Sequence, residues 1–117
     1  HFPSGEAVPF LRETIRSRPG EVTLLAVGPF TNVAALFAMD PEVPRLLNRL
    51  VVMGGRYLST TPHRDATEWN AAGDPHATAI MFRADVPETR AYGLDVTLRC
   101  RLPAAACRQR LQGGVLD

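Results

Sequence analysis

Hydrophobic positions along the chain follow two spacings, one typical of helices and one typical of buried strands. Apolar residues at helical spacing predict helices over residues 6–17, 31–39, 74–84 and 103–111, with a short additional helix from 40 to about 47. Continuous apolar runs predict buried parallel strands over 22–27 and 50–53, and a third strand is predicted over 89–94. Turn signals such as Gly28-Pro29 and Gly54-Gly55 end these segments.

The order of the elements predicts an α/β fold with a mostly parallel sheet flanked by helices. Ligands of such sheets bind at the carboxyl ends of the strands. These ends lead into Gly28–Asn32, Met53–Gly55 and Gly93–Asp95, so polar groups from these turns should meet at one edge of the sheet. Nothing marks either outer strand as a solvent-tolerant edge, so we expect the chain to belong to something larger.

Composition narrows the class of protein. The chain has 117 residues, 45% of them hydrophobic and 21% charged, which suits one modest globular domain. The net charge is +1, and no basic stripe with interleaved aromatic residues suggests nucleic acid. No apolar run is long enough to cross a membrane, and no secretory signal is visible. Cys100 and Cys107 predict reduced thiols in a cytoplasmic protein.

The segment Glu68-Trp69-Asn70 carries the most informative chemistry. In an extended segment, Glu68 and Asn70 would project to the same side. A carboxylate accepts hydrogen bonds and an amide both donates and accepts, so the pair suits the hydroxyls of a sugar. The alternative is a solvated loop carboxylate and an Asx turn. Asp74-Pro75, just beyond, is typical of a helix N-cap followed by Pro at the first helical position.

The other strand ends leave their alternatives open. Thr31 or Asn32 could cap the following helix, or a backbone group of this turn could face a ligand. Gly54 and Gly55 could turn the chain while Met53 fills the core, or the two glycines could let a ligand approach the backbone. Asp95 could be a loop hydrogen-bond acceptor or take an active role. The polar loop 56–67 is long enough to suggest a functional role. His63 and His76 are predicted to lie on the surface, and no Ser/His/Asp or Cys/His arrangement is recognisable.

In this order and spacing, these motifs resemble the inosine-uridine-preferring nucleoside hydrolase family. The matching segments are 20–32, 51–55, 68–70 with Asp74-Pro75, and 93–97. The resemblance implies hydrolysis of the N-glycosidic bond of small-molecule ribonucleosides to base and ribose, with a Ca²⁺ ion held by aspartates. It implies that the main-chain carbonyl of Thr31 is a calcium ligand. It also implies that Glu68 and Asn70 hold ribose hydroxyls, that Met53 lines the ribose pocket, and that the parent protein forms a homo-oligomer.

The departures from the family pattern set limits on this expectation. The family's Asp-rich motif, with the catalytic base and most metal carboxylates, would lie before His1, and its His-Asp pair would lie beyond Asp117. We therefore expect residues 1–117 to be a partial nucleoside hydrolase domain with no catalytic residue of its own, inactive in isolation. The family's usual Asn is missing from loop 58–67, and Trp69 replaces the common Phe, which leaves the contact to the ribose 5′ side and the base preference open.

Two other hypotheses remain at this stage. The chain could be a non-catalytic α/β module with a degenerate ribose pocket or an interaction role. It could also be a truncated reading frame without an independent fold, which a broad, non-cooperative thermal melt would favour.

Overall fold

The computed structural model of the chain describes residues 5–58 and 67–111. Its helices are α1 Ala7–Ser17, α2 Thr31–Met39, α3 Val43–Leu46, α4 Trp69–Gly73, α5 Pro75–Arg83, α6 Leu94–Thr97 and α7 Ala104–Leu111. Its strands are β1 Thr23–Ala26, β2 Arg49–Met53 and β3 Thr89–Tyr92. Most of the predicted loop 56–67, including His63, lies outside the described residues. None of the described helices is both long enough and apolar enough to span a bilayer.

The strands form a parallel sheet in the order β1-β2-β3, which confirms the predicted α/β class. Leu24 pairs with Leu50, and Leu50 pairs with Thr89, so equivalent positions of all three strands share a face. Parallel neighbours need a crossover connection, and helices supply it between β1 and β2 and between β2 and β3. The carboxyl ends of the strands therefore lie at a common edge.

The core lies against one face of this sheet. The register places Ala26, Leu50 and Val52 on that face, and all three are buried. They pack with buried residues of the helices and of the connections to them: Ile15, Phe30, Val33, Ala34, Leu36, Phe37, Val43, Leu47, Ala77 and Met81. Burying this apolar surface is the main favourable contribution to the fold.

The opposite face is open in the described part of the chain. Leu25 and Val27 are each 62% exposed, although the apolar run over 22–27 predicted a strand buried on both faces. The prediction was wrong for these two residues because the core-forming helices described here cover one face only. A continuous apolar run is typical of a strand with both faces covered.

Two element boundaries also differ from prediction. β3 ends at Tyr92, and Gly93 is the N-cap of the short helix α6 rather than part of a strand reaching residue 94. The short helix predicted from residue 40 begins at Val43, since Asp40 is the C-cap of α2. The sequence analysis did not predict α6, because a helix of one turn has too few residues to show a periodic apolar pattern.

A buried carboxylate joins α1 to the end of α2. Asp40 is 5% exposed, and its Oδ2 accepts hydrogen bonds from Nε of Arg12 and Nε of Arg16, each at 2.6 Å. Nη2 of Arg16 donates to Oδ1 at 2.7 Å, which makes that pair bidentate. The hydrogen bonds from Arg16 and then Arg12 hold the pKa of Asp40 well below its usual range, against the opposing effect of burial.

This ion cluster predicts a pH dependence of stability. The folded pKa of Asp40 lies below its unfolded value, so its contacts stabilise the fold above about pH 4 and this contribution is lost as the pH falls through the folded pKa. We expect Asp40→Asn to lower the free energy of unfolding at pH 7 and the difference from wild type to shrink at pH 3. Denaturant unfolding at both pH values measures this. Asp85→Asn, at a residue 77% exposed, is the matched control and should have little effect. A difference independent of pH would contradict the assignment.

Candidate functional site

The predicted site residues meet at the carboxyl edge of the sheet. The side-chain amide of Asn70 donates to the carbonyl of Met53 at 3.0 Å, and its nitrogen lies 3.2 Å from the Met53 sulfur. The carboxylate of Glu68 accepts a hydrogen bond from the backbone N–H of Gly55 at 2.8 Å. The structure thus brings Met53, Glu68 and Asn70 together, although residues 53 and 70 lie 17 positions apart in the chain.

Glu68 is the N-cap of α4, which corrects the prediction of an extended Glu68–Asn70 segment. Only Glu68 has extended backbone angles, and Asn70 is the second residue of the helix. Oε1 of Glu68 accepts from the N–H of Asn70 at 2.8 Å, and Oε2 accepts from the N–H of Ala71 at 2.9 Å. The first N–H groups of a helix have no partner within the helix, so an acceptor at the N-cap stabilises it. These hydrogen bonds favour a helix at Asn70 over an extended segment.

The environment of Glu68 limits what it can do for a ligand. The side chain is 6% exposed and accepts hydrogen bonds from three backbone N–H groups, those of Gly55, Asn70 and Ala71. An ionised carboxylate has about four lone-pair positions, and these three bonds from described residues occupy most of them. Most of the hydrogen-bonding capacity of Glu68 therefore serves the local backbone.

Asn70 keeps more of its hydrogen-bonding capacity. Its side chain is 7% exposed, and the bond to Met53 uses one amide N–H. The same nitrogen lies 3.2 Å from the Met53 sulfur, a weak acceptor, so the amide oxygen is the group best placed to meet a sugar hydroxyl. Trp69, between the two buried polar residues, is 72% exposed. A shallow cavity of about 440 Å³ opens beside Glu68 and is lined by Gly55, Arg56, Thr67, Glu68, Ala71, Ala72 and Pro75.

The first turn of α2 is tied to the start of α5. Phe30, and neither Thr31 nor Asn32, is the N-cap of α2, so the predicted side-chain cap was wrong. Instead the Thr31 hydroxyl donates to Oδ2 of Asp74 at 2.8 Å. Asp74 caps α5 by accepting from the N–H of Ala77 at 2.9 Å, which confirms its predicted role before Pro75. These two hydrogen bonds, that of Ala77 first, lower the pKa of Asp74.

The described residues do not form a calcium site by themselves. Thr31 is the first residue of α2, where helical geometry directs a carbonyl at the N–H four residues on and leaves one lone pair for a metal. Within residues 5–58 and 67–111, no group of three His, Cys, Asp or Glu side chains could hold a metal ion. Calcium takes about six to eight oxygen ligands, so a single carbonyl is insufficient.

Asp95 is a buried hydrogen-bond acceptor, the first of the two roles that the sequence left open. It is 2% exposed, and its Oδ1 accepts from the N–H of Tyr57 at 3.0 Å. This bond is the main reason that the pKa of Asp95 is lowered, against the opposing effect of burial. The pKa of Tyr57 is raised, chiefly by burial and then by the charges of Asp95 and Glu68. Sequence reasoning missed Tyr57, which carries no motif of its own.

Gly54 has a packing reason to be glycine. A Cβ on Gly54 would lie 2.5 Å from Cζ of Phe30 and 3.3 Å from Oε2 of Glu68. Phe30 is fully buried and meets Phe82 edge to face, with ring centroids 6.4 Å apart. Close packing against Phe30 therefore accounts for glycine at position 54 without the approach of a ligand to its backbone.

The chain is similar to proteins of a known family. A family model described as "Inosine-uridine preferring nucleoside hydrolase" matches residues 2–115. A pyrimidine-specific ribonucleoside hydrolase RihA of Citrobacter koseri is 40% identical over 98 residues, which cover 84% of this chain and 31% of the relative. The protein of the same name from Salmonella typhimurium is 39% identical over 104 residues, covering 87% of this chain and 32% of the relative.

Solved structures that resemble the chain are also nucleoside hydrolases. An inosine-uridine preferring nucleoside hydrolase from Bacillus anthracis aligns with a TM-score of 0.75 at 29% identity, covering 96% of this chain and 38% of that structure. A purine-preferring ribonucleoside hydrolase from Gardnerella vaginalis aligns with a TM-score of 0.72 at 36% identity, covering 82% of this chain and 30% of that structure. The chain spans about a third of the length of the curated relatives it matches.

Proposed function

Because the chain belongs to the inosine-uridine preferring nucleoside hydrolase family, we propose that its full-length protein hydrolyses the N-glycosidic bond of ribonucleosides to base and ribose. The observation that carries this proposal is the contact of Asn70 with Met53 beside Glu68, at the sheet edge where α/β folds bind ligands. The three residues that the family resemblance assigned to the ribose pocket are the ones that the fold gathers there.

The proposed roles follow from the hydrogen bonds already in place. Asn70 holds a ribose hydroxyl through its amide oxygen, Met53 lines the ribose, and the Glu68 carboxylate accepts from a ribose hydroxyl while fixing the start of α4. Hydrogen bonds to sugar hydroxyls strengthen as the ring gains oxocarbenium character, so rigidly held groups assist bond cleavage. We assign no catalytic residue within this chain.

Calcium is part of the proposal through the resemblance alone. The carbonyl of Thr31 is the ligand that this chain would add, and the remaining ligands and the base would come from other parts of the family domain. A bound Ca²⁺ would need several carboxylate oxygens as ligands. The described residues do not bring such a group of carboxylates together.

The substrate is proposed as a class, because the names of similar proteins differ on the base. They read pyrimidine-specific, inosine-uridine preferring and purine-preferring. A homo-oligomeric state and a cytoplasmic location also stay proposals. The unpaired state of Cys100 and Cys107 agrees with the second of these.

The test compares the full-length protein with residues 1–117 alone. Ribose release from uridine and inosine is measured as reducing sugar at a fixed protein concentration. We expect release by the full-length protein and none measurable from the isolated chain, because the described residues bring together contacts to ribose but no group of side chains that could hold a metal ion. No release by the full-length protein, with ribose still bound, would favour the non-catalytic module instead. Release by the isolated chain that Asn70→Ala abolishes would refute its expected inactivity.

A further inference from the structure

We propose that Asp95 is a positioning residue that holds the ribose-binding side chains in place through the backbone of Tyr57 and Gly55. The expected effect on ribose binding rests on the proposed function. The link from Asp95 to the ribose-binding side chains rests on contacts between described residues. The family resemblance assigns no role to Asp95.

The first link is the contact between α6 and the segment that leaves β2. Oδ1 of Asp95 accepts from the N–H of Tyr57 at 3.0 Å, across 38 positions of sequence. The space between them is filled: a Cβ on Gly93 would lie 2.6 Å from Oδ1 of Asp95 and 2.7 Å from Cδ2 of Tyr57. The Asp95 carboxylate, 2% exposed, is thus engaged with the backbone of the segment that leaves β2.

The second link is Gly55, which is held from two sides. Its carbonyl accepts from the N–H of Leu94 at 2.9 Å, at the start of the helix that carries Asp95. Its N–H donates to Oε2 of Glu68 at 2.8 Å, at the start of α4. Gly55 has a φ of +76°, a conformation that glycine adopts without strain. The hydrogen bonds on either side of Gly55 therefore connect the Asp95 helix to the Glu68 carboxylate.

The third link carries the constraint to Asn70. Glu68 accepts from the N–H of Asn70, and the Asn70 side chain donates to the carbonyl of Met53. Loss of the Asp95 contact would free Tyr57, loosen Gly55 and let Glu68 and Asn70 shift together. A displacement of about 1 Å in a group that orients a substrate can cost about 100-fold in rate.

The test uses the full-length protein with Asp95→Ala and Asp95→Asn. An Asn oxygen can still accept from the N–H of Tyr57, so Asp95→Asn is the conservative variant, and it carries the test if Asp95→Ala fails to fold. Asp40→Ala is the control for general destabilisation, since its contacts to Arg12 and Arg16 lie between α1 and α2. Asp85→Ala, at a residue 77% exposed, is the control for the loss of a surface aspartate.

Two measurements separate positioning from general stability. The first is kcat and KM for uridine, and the second is amide hydrogen exchange of a peptide covering residues 67–73. We expect Asp95→Ala to raise KM at least tenfold and to speed exchange at α4, Asp95→Asn to show a smaller change in the same direction, and both controls to match wild type in KM and in α4 exchange.

Other outcomes would contradict either the positioning role of Asp95 or the proposed hydrolase function. An unchanged KM in Asp95→Ala, or an equal rise in Asp40→Ala, would overturn the positioning role while leaving the hydrolase assignment in place. If the wild-type protein releases no ribose, the proposed function fails. The exchange data then decide the inference alone, and wild-type exchange at 67–73 in Asp95→Ala would overturn it.

Discussion

Replacing Asn70 with alanine in the full-length protein is expected to lower kcat/KM for ribonucleosides by about 100- to 1,000-fold, the range found when one well-placed polar group is removed from an active site. Asn70 is held by Met53 and by its position on α4, so its amide oxygen is already oriented before a ligand binds. The substitution also removes the hydrogen bond to the Met53 carbonyl, a loss of about 1 kcal/mol in stability. Steady-state kinetics with uridine, together with a thermal melt, measures both effects.

Asn48→Ala is the matched control for this substitution. Asn48 is exposed and precedes β2, at the opposite end of the strand from Met53. The same chemical change there should leave kcat/KM within about twofold of wild type, since surface substitutions away from such features have small effects. Equal activity in wild type and Asn70→Ala would remove Asn70 from the proposed ribose site.

Gly54→Ala is expected to lower the free energy of unfolding by about 1–3 kcal/mol, the usual cost of overpacking a filled interior. The new methyl group would lie 2.5 Å from the ring of Phe30 and 3.3 Å from the Glu68 carboxylate. Phe30 is fully buried against the core and cannot move away freely, so part of the strain should fall on Glu68 and reduce activity as well. Denaturant unfolding and uridine hydrolysis measure the two effects.

Gly28 offers a control at the equivalent end of β1. A Cβ on Gly28 would meet no atom within 4 Å, and its φ is not positive. Gly28→Ala should therefore leave stability nearly unchanged or raise it slightly through the unfolded state. Similar destabilisation of both variants would mean that the Phe30 contact is not the cause.

Local signals allowed much of the fold to be predicted from sequence. The alternation of helical and strand patterns predicts the parallel order, and Asp74-Pro75 predicts the start of α5 because both residues act within one turn of chain. The placement of Asn70 on a helix was missed because α4 spans only five residues, too few for a periodic apolar pattern. The bond from the N–H of Gly55 to Glu68 crosses 13 positions, so local sequence does not predict it either.

The remaining differences come from tertiary contacts that no local pattern encodes. The contact of Asp95 with Tyr57 joins residues that lie far apart in sequence, so the motif at 93–97 alone could not distinguish an acceptor from an active group. Likewise, the apolar run at 22–27 reports how much apolar surface the strand carries. It does not show whether other elements cover a given side chain, and Leu25 and Val27 are exposed in the described part of the chain.

The central claim is that this chain supplies the ribose-holding part of a ribonucleoside hydrolase. The most direct test is the rate of base release by the full-length protein from uridine, measured beside 2′-deoxyuridine under the same conditions. A site built to hydrogen-bond a sugar hydroxyl strongly rejects an analogue that lacks it, by as much as about 10⁴-fold. We expect uridine to be cleaved and the 2′-deoxy analogue to be cleaved at least about 100-fold more slowly. Equal rates for the two, or no cleavage of either, would contradict the claim.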